Sequence, residues 1–299
     1  MKYIQLGNTS TQVSKLGLGC INFGTTTDKK TAHALMDCYL TYGGNVIDTA
    51  NNYAVWNGGD GRESERVIGS FVHSHPEIRE KLVLCTKLGA LPIDFAKGFD
   101  HMQGTGRQVI LTEVEKSLDA LKTDYIDLLY LHVDDYHVNQ EETMGALNEV
   151  MQKGYVKHIG CSNFQTWRIE RARQICARYN YPFFSAIQQR FSYFQPVSDA
   201  DFFPQVCANK ELEAYLDFYQ DMTFFSHTSL LYGAYLKDTI EDSNYDTPQN
   251  RQRLLQLKAH DGHRIPWVLD YISQQFNGCV ALFTSGSVKH LEENLKFSK

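Results

Sequence analysis

Eight times along this chain an apolar run of five to eight residues is followed by a segment with helical periodicity. That alternation constrains the fold more than any other feature. The runs cover 16–20, 46–50, 81–87, 125–132, 156–162, 183–188, 222–227 and 279–284. Their length and composition read as buried strands. Helical stripes follow at 28–42, 63–73, 108–121, 141–153, 165–179, 210–220, 264–276 and 288–296. Strands that alternate with helices pair in parallel, because each parallel connection needs a crossover. Eight such units imply a closed (β/α)8 barrel, and strands covered on both faces read as continuous apolar runs. A short hairpin precedes them: Tyr3-Ile-Gln-Leu and Val13-Ser-Lys-Leu flank a turn at 7–10. No linker interrupts the pattern, so 1–299 reads as one domain.

Composition excludes several classes. The net charge is −6 and no half of the chain is strongly basic, which argues against a nucleic-acid surface. No apolar run approaches the roughly 20 residues needed to cross a bilayer. The N-terminus lacks the apolar core of a secretory signal. The seven cysteines are odd in number and form no CxxC pair. They read as buried thiols in a reducing cytoplasm, not as a disulfide framework or zinc site. A small-molecule partner is expected; the oligomeric state is left open.

In a closed barrel the active site lies at the C-terminal strand ends. Those ends carry Asp48 with Tyr53 just beyond, then Lys87, His132, Ser162 with Asn163, Gln188, His227 with Thr228, and Thr284 with Ser285. Singly, each has a plainer reading: Asp48 as a turn cap, Lys87 as a solvated strand end, His132 as a core histidine. Together at one rim they favour catalysis. A tyrosine phenol has a reference pKa near about 10, and a neighbouring ammonium lowers it. Lys87 can supply that ammonium, Asp48 can hold Lys87 charged, and His132 can donate to a carbonyl oxygen. General acid catalysis of this kind contributes roughly 10²–10⁴-fold. No Ser-His-Asp set, thiolate pair or metal cluster offers a nucleophile, whereas a hydride from a nicotinamide would complete the reaction. No GxGxxG follows the first strand, so a Rossmann site is not expected.

Other features have more than one reading. Asp134-Asp135 after His132 reads as a solvated loop, with a metal-dependent hydrolase using His132 and Asp134 as a rival. Ser162 and Asn163 can also cap the following helix. Arg168, Arg171, Arg173 and Arg178 read as an exposed helix face. Phe191, Tyr193, Phe194, Phe202 and Phe203 form either a pocket wall or a loop core. Trp56, close to Tyr53, is a candidate substrate wall.

These residues carry a resemblance. The pieces are Leu16-Gly-Leu-Gly19, Asn45-Val-Ile-Asp-Thr-Ala50 with Tyr53, Gly61-Arg-Glu-Ser-Glu-Arg-Val-Ile-Gly69, Thr86-Lys87, Tyr125-Ile-Asp-Leu-Leu-Tyr-Leu-His132, Ile159-Gly-Cys-Ser-Asn-Phe164 and Leu291-Glu-Glu-Asn294. In this order, over nearly the whole chain, they resemble the aldo-keto reductases. The resemblance implies a catalytic tetrad of Asp48, Tyr53, Lys87 and His132, with Tyr53 as proton donor. It implies Ser162, Asn163 and Gln188 at the nicotinamide carboxamide, and Ser285, Ser287, Glu293 and Asn294 near the adenosine end. It implies NADPH-dependent reduction of an aldehyde, ketone or sugar carbonyl.

The departures from the family pattern are specific. In 226–230, His227 replaces the tyrosine that stacks on the nicotinamide, with Thr228 beside it. Around 284–290 only Lys289 and His290 are cationic, which leaves NAD(H) as the alternative to NADP(H). Family members usually continue into a C-terminal segment that walls the pocket, and this sequence stops at Lys299. A less closed pocket is therefore expected. A cofactor-binding sensor or accessory subunit with little turnover is the alternative function.

Overall fold

The computed structural model describes residues 1–296. An antiparallel hairpin of β1 (Tyr3–Gln5) and β2 (Gln12–Ser14) comes first. The next eight strands are β3 (Leu16–Gly19), β4 (Val46–Asp48), β5 (Val83–Leu88), β6 (Ile126–Leu131), β7 (Val156–Ser162), β8 (Ala186–Arg190), β9 (Thr223–His227) and β10 (Cys279–Phe283). Each pairs in parallel with the next, and β10 returns to β3, closing a barrel. Around it lie α1 (Lys29–Thr41), α2 (Glu63–Ser74), α3 (Arg107–Leu121), α4 (Gln140–Gln152), α5 (Thr166–Tyr179), α6 (Lys210–Tyr219), α7 (Pro248–Lys258), α8 (Arg264–Ser273) and α9 (Val288–Lys296). The (β/α)8 architecture and the N-terminal hairpin are those read from the sequence.

Local chemistry explains the element ends. Asp28 accepts from the Thr31 backbone N–H and caps α1. Gly43, at φ +80°, then reverses the chain into β4. Two apolar layers result. One lies between strands and helices, as alternate strand residues and the helix stripes require. The other fills the lower barrel, where Leu6 and Val13 of the hairpin segment pack on Val46, Val83, Leu128 and Val280. The hairpin thereby plugs the N-terminal end, and polar side chains occupy the other.

Several boundaries differ from the sequence reading. β5 continues past Lys87 because Leu88 still pairs with Leu131, and β8 continues past Gln188 because Arg190 pairs with His227. Neither Lys87 nor Gln188 is therefore the last residue of its strand. The sixth barrel strand starts at Ala186 rather than 183, where its ladder to β7 begins. α7 was not expected. It buries only Asn250, Leu254 and Leu257, too thin a stripe for periodicity to reveal. Its signal was the Thr247 cap followed by Pro248 in the first turn.

One contact sets how closely two barrel helices approach. A Cβ on Gly69 of α2 would lie 2.1 Å from the Ala120 carbonyl oxygen of α3. Gly69→Ala should therefore lower stability by about 1–3 kcal/mol through overpacking. Urea unfolding checks this, and an unchanged midpoint would contradict the close approach.

Candidate active site

β4 and β5 are neighbours, with Asp48 opposite Cys85. Lys87, two residues farther along β5, points to the same face as Cys85. This places the Lys87 ammonium beside the Asp48 carboxylate: Nζ lies 2.6 Å from Oδ2. The same nitrogen donates to the Tyr53 hydroxyl oxygen at 2.8 Å and to the Thr49 carbonyl at 2.8 Å. All three ammonium donors are thus used. Lys87 is fully buried and Asp48 is 2% exposed. The other Asp48 oxygen, Oδ1, accepts from Gln188 Nε2 at 2.9 Å.

Tyr53 sits on a braced loop. The Asn51 backbone N–H donates to the Lys87 carbonyl, and Arg62 N–H donates to the Asn51 carbonyl. The Asn51 side chain donates to Glu113 Oε2 at 2.8 Å. The Arg62 guanidinium bonds Glu113, Glu65 and Ser117. Ala54 and Arg62 have φ of +85° and +64°, a region costly for side chains with a Cβ. The buried charge network holds the turn in that shape.

The electrostatics follow from burial. Burial pushes the Tyr53 phenol up to about 12, and the nearby Lys87 ammonium only partly offsets it. From sequence alone the ammonium is expected to lower this pKa; desolvation reverses the net sign. For Lys87, burial alone lowers the pKa, but the Asp48 carboxylate and Tyr53 outweigh it and leave it raised. Burial holds the His132 imidazole well below its usual range, with Lys87 and His227 adding to the effect. His132 is therefore neutral at physiological pH. Its ring meets that of Tyr53 edge-on at 6.0 Å between centroids. Among the described residues, the buried His132 Nδ1 has no hydrogen-bond partner. A hydrogen there would be an orphaned donor, so the tautomer carrying its hydrogen on Nε2 is assigned.

A trough of about 1200 Å³ opens above these groups. Asp48, Tyr53, His132, Ser162, Asn163, Gln188, His227 and Thr228 line it, and at the far end so do Ser285, Glu293 and Asn294. Trp56 stands on its rim, 47% exposed, with its ring 6.1 Å from that of Tyr53. Ser287 is not in the wall. Its hydroxyl oxygen accepts from the His290 backbone N–H, and its carbonyl accepts from Ser285 Oγ. Lys289 is also outside the wall, whereas His290, Lys296 and Arg264 line it.

Other sequence readings meet the structure as follows. Ser162 and Asn163 do not cap α5, whose N-cap position is Gln165 with no side-chain bond. Asn163 instead joins two loops: its Nδ2 donates to the His132 carbonyl at 2.9 Å, and its Oδ1 accepts from Val206 N–H at 3.0 Å. Arg168 is not exposed; it forms a two-bond pair with Asp134 at 2.7 Å. Asp134 is thereby committed to an arginine rather than standing free in a solvated loop. Arg173 is also drawn in, against Asp221 and Tyr215. Of the loop aromatics, Tyr193 and Phe194 pack on Tyr235, and Phe202 stacks under the Arg190 guanidinium at 4.0 Å. These three belong to a loop core, whereas Phe203 stands outside it, 65% exposed. Sequence reasoning missed Phe99, Gln205, Tyr232 and Arg264, which line the trough from long connecting loops or the helix start beyond them. No periodic pattern marks such positions.

The family model described as the aldo/keto reductase family matches residues 15–299. The chain belongs to the aldo/keto reductase family. It is 33% identical over 204 residues to the uncharacterized oxidoreductase YrpG of Bacillus subtilis (strain 168), covering 68% of this chain and 62% of that protein. It is 36% identical over 186 residues to norsolorinic acid reductase B of Dothistroma septosporum, covering 58% of this chain and 45% of the relative. It is 33% identical over 196 residues to an aryl-alcohol dehydrogenase, GME11368, of Pestalotiopsis microspora, covering 62% and 48%. The matches thus span about half to three-fifths of these relatives' length.

Two of the histidines that line the trough, His132 and His227, predict a pH dependence of stability. Burial also lowers the His227 pKa, to about 3. In the unfolded chain both imidazoles protonate near about pH 6.5. Below that pH the unfolded state binds protons that the folded state does not. Each histidine should therefore remove about 1.4 kcal/mol of stability per pH unit as pH falls from about 6.5 towards its folded pKa. Above about pH 7 neither contributes. Urea unfolding of wild type and His227→Gln between pH 7 and 4.5 should show a shallower fall in the variant; parallel curves would contradict the half-buried neutral imidazole.

Proposed function

We propose that the protein reduces an aldehyde, ketone or sugar carbonyl to the alcohol with a nicotinamide dinucleotide, Tyr53 donating the proton. The carrying observation is the buried chain Asp48–Lys87–Tyr53 at the floor of the trough. A phenol with a raised pKa keeps its proton until a strong base forms beside it. The oxygen of a carbonyl under reduction becomes such a base. Once the proton has left, the Lys87 ammonium 2.8 Å away stabilises the phenolate. Neutral His132 donates its Nε2–H to the same oxygen and orients the substrate. Trp56 walls the substrate side.

The wall residues fit a dinucleotide. The trough is long, joining Tyr53 to the first turns of α9. Ser162 Oγ accepts from Asn163 Nδ2 and keeps its own hydrogen to donate. Ser162, Asn163 and Gln188 would sit at the nicotinamide carboxamide, with His227 and Thr228 flanking the ring. Ser285, Glu293 and Asn294 would meet the adenosine end. When bound, the nicotinamide supplies the hydride. NADP(H) is the expected cofactor, with the Lys296 ammonium and the His290 imidazole on the wall as the groups available to a 2′-phosphate; NAD(H) is the alternative. The relatives named as reductases and a dehydrogenase support this reading. The free thiols suit a reducing cytoplasm.

Tyr53→Phe should reduce turnover by about 10²–10⁴-fold while cofactor affinity stays nearly unchanged. Absorbance loss of NADPH and NADH with a panel of aldehydes, ketones and aldoses measures the first. Quenching of protein fluorescence measures the second. Undiminished turnover in Tyr53→Phe would reject the proton donor. Tight binding with no consumption by the wild type would replace the reductase with a sensor.

A further inference from the structure

Gln188 stands where the trough wall meets the buried charges, and its amide is oriented by what it touches. A carboxylate only accepts hydrogen bonds. The 2.9 Å contact with Asp48 Oδ1 therefore requires Nε2, not Oε1, on that side. Asp48 is then held at both oxygens: Gln188 on Oδ1 and Lys87 on Oδ2. Gln188 is itself 2% exposed, on the middle of β8. Beside it is Tyr130, fully buried on β6, whose hydroxyl has no hydrogen-bond partner among the described residues. Burial raises the Tyr130 pKa well above its usual value, and the Gln188 amide offsets part of that effect. On the strands flanking β8, the residues in register with Gln188 are Ser162 and Phe225, neither charged.

We infer that Gln188 is a positioning residue for Asp48, and through it for the Lys87–Tyr53 pair, in addition to any contact with cofactor. The inference rests on the proposed role of Tyr53. A carboxylate held on one side only can rotate about its Cβ–Cγ bond. With Gln188 fixing Oδ1, Oδ2 stays directed at the ammonium. The ammonium in turn holds its line to the Tyr53 hydroxyl. Polar residues around a reacting group act this way when they lock its orientation.

The test uses full-length wild type, Gln188→Met and Gln188→Glu. The Met side chain matches the volume but cannot donate. The Glu side chain can donate to Asp48 only while protonated. Beside a carboxylate and largely buried, its folded pKa lies above the unfolded value of about 4.3. An acid of this kind costs stability progressively as pH rises from its unfolded to its folded pKa. Without cofactor, the melting temperature of Gln188→Glu relative to wild type should therefore fall as pH rises from 5 to 8. Adding Asp48→Asn should weaken that dependence. With cofactor and a reactive aldehyde, Gln188→Met should lose about tenfold or more in kcat at every pH. Gln188→Glu should retain activity at acid pH and lose it as pH rises, over a range where wild type changes little.

A residue that only holds cofactor would raise the dissociation constant in both variants and leave the pH profile of kcat superimposable on wild type. That result overturns the inference. Wild type without turnover would defeat the reductase reading alone, since the cofactor-free melting curves would still report the contact of residue 188 with Asp48.

Discussion

One buried ammonium organises this molecule. Lys87 projects into the upper barrel with no exposure to water. An unpaired charge in such a place costs several kcal/mol. The structure answers it with a carboxylate from the adjacent strand, a carbonyl from the residue after that strand, and a phenol from the following loop. Each partner is itself held: Asp48 by Gln188, and the Tyr53 loop by the Arg62–Glu113–Asn51 network. A buried ion pair is weak evidence of stability, but breaking one is costly. The arrangement therefore specifies geometry more than it adds stability.

The two ends of the barrel divide the labour. The lower interior is an ordinary apolar core closed by the hairpin. The upper interior gives up that packing for polar groups aimed at one trough. Loops above the rim are tied down by hydrogen bonds that also touch trough residues. Asn163 joins the His132 carbonyl to the Val206 amide, and Arg190 anchors its loop through Gln205 and Tyr245. Asn163 and Gln205 thus both line the trough and hold its rim.

Much of this was legible beforehand, for physical reasons. Strands sheathed by helices on the outside and packed side chains within need apolar runs, so eight of them announced a closed parallel barrel. Asp48, Lys87 and His132 were visible because ionisable residues at the ends of apolar runs are rare unless used. Less legible were features that depend on few residues or on distant partners. α7 buries too little to show a period. Arg168 has the composition of a solvated helix face, yet pairs with Asp134 from another loop. Ser287 resembles a cofactor contact but closes its own turn.

The linear chain by itself determined which residues are apolar, with what period, and which polar groups end each run; those properties dictate the barrel and the rim because side-chain direction follows backbone period. Only the folded molecule decided the state of the groups at that rim. Desolvation acts through every neighbour at once, so the sign of the Tyr53 shift, the neutrality of His132 and the two-sided grip on Asp48 arise from burial and register. Residues 140 positions apart, Asp48 and Gln188, meet only because closure of the barrel turns their strands toward the same trough.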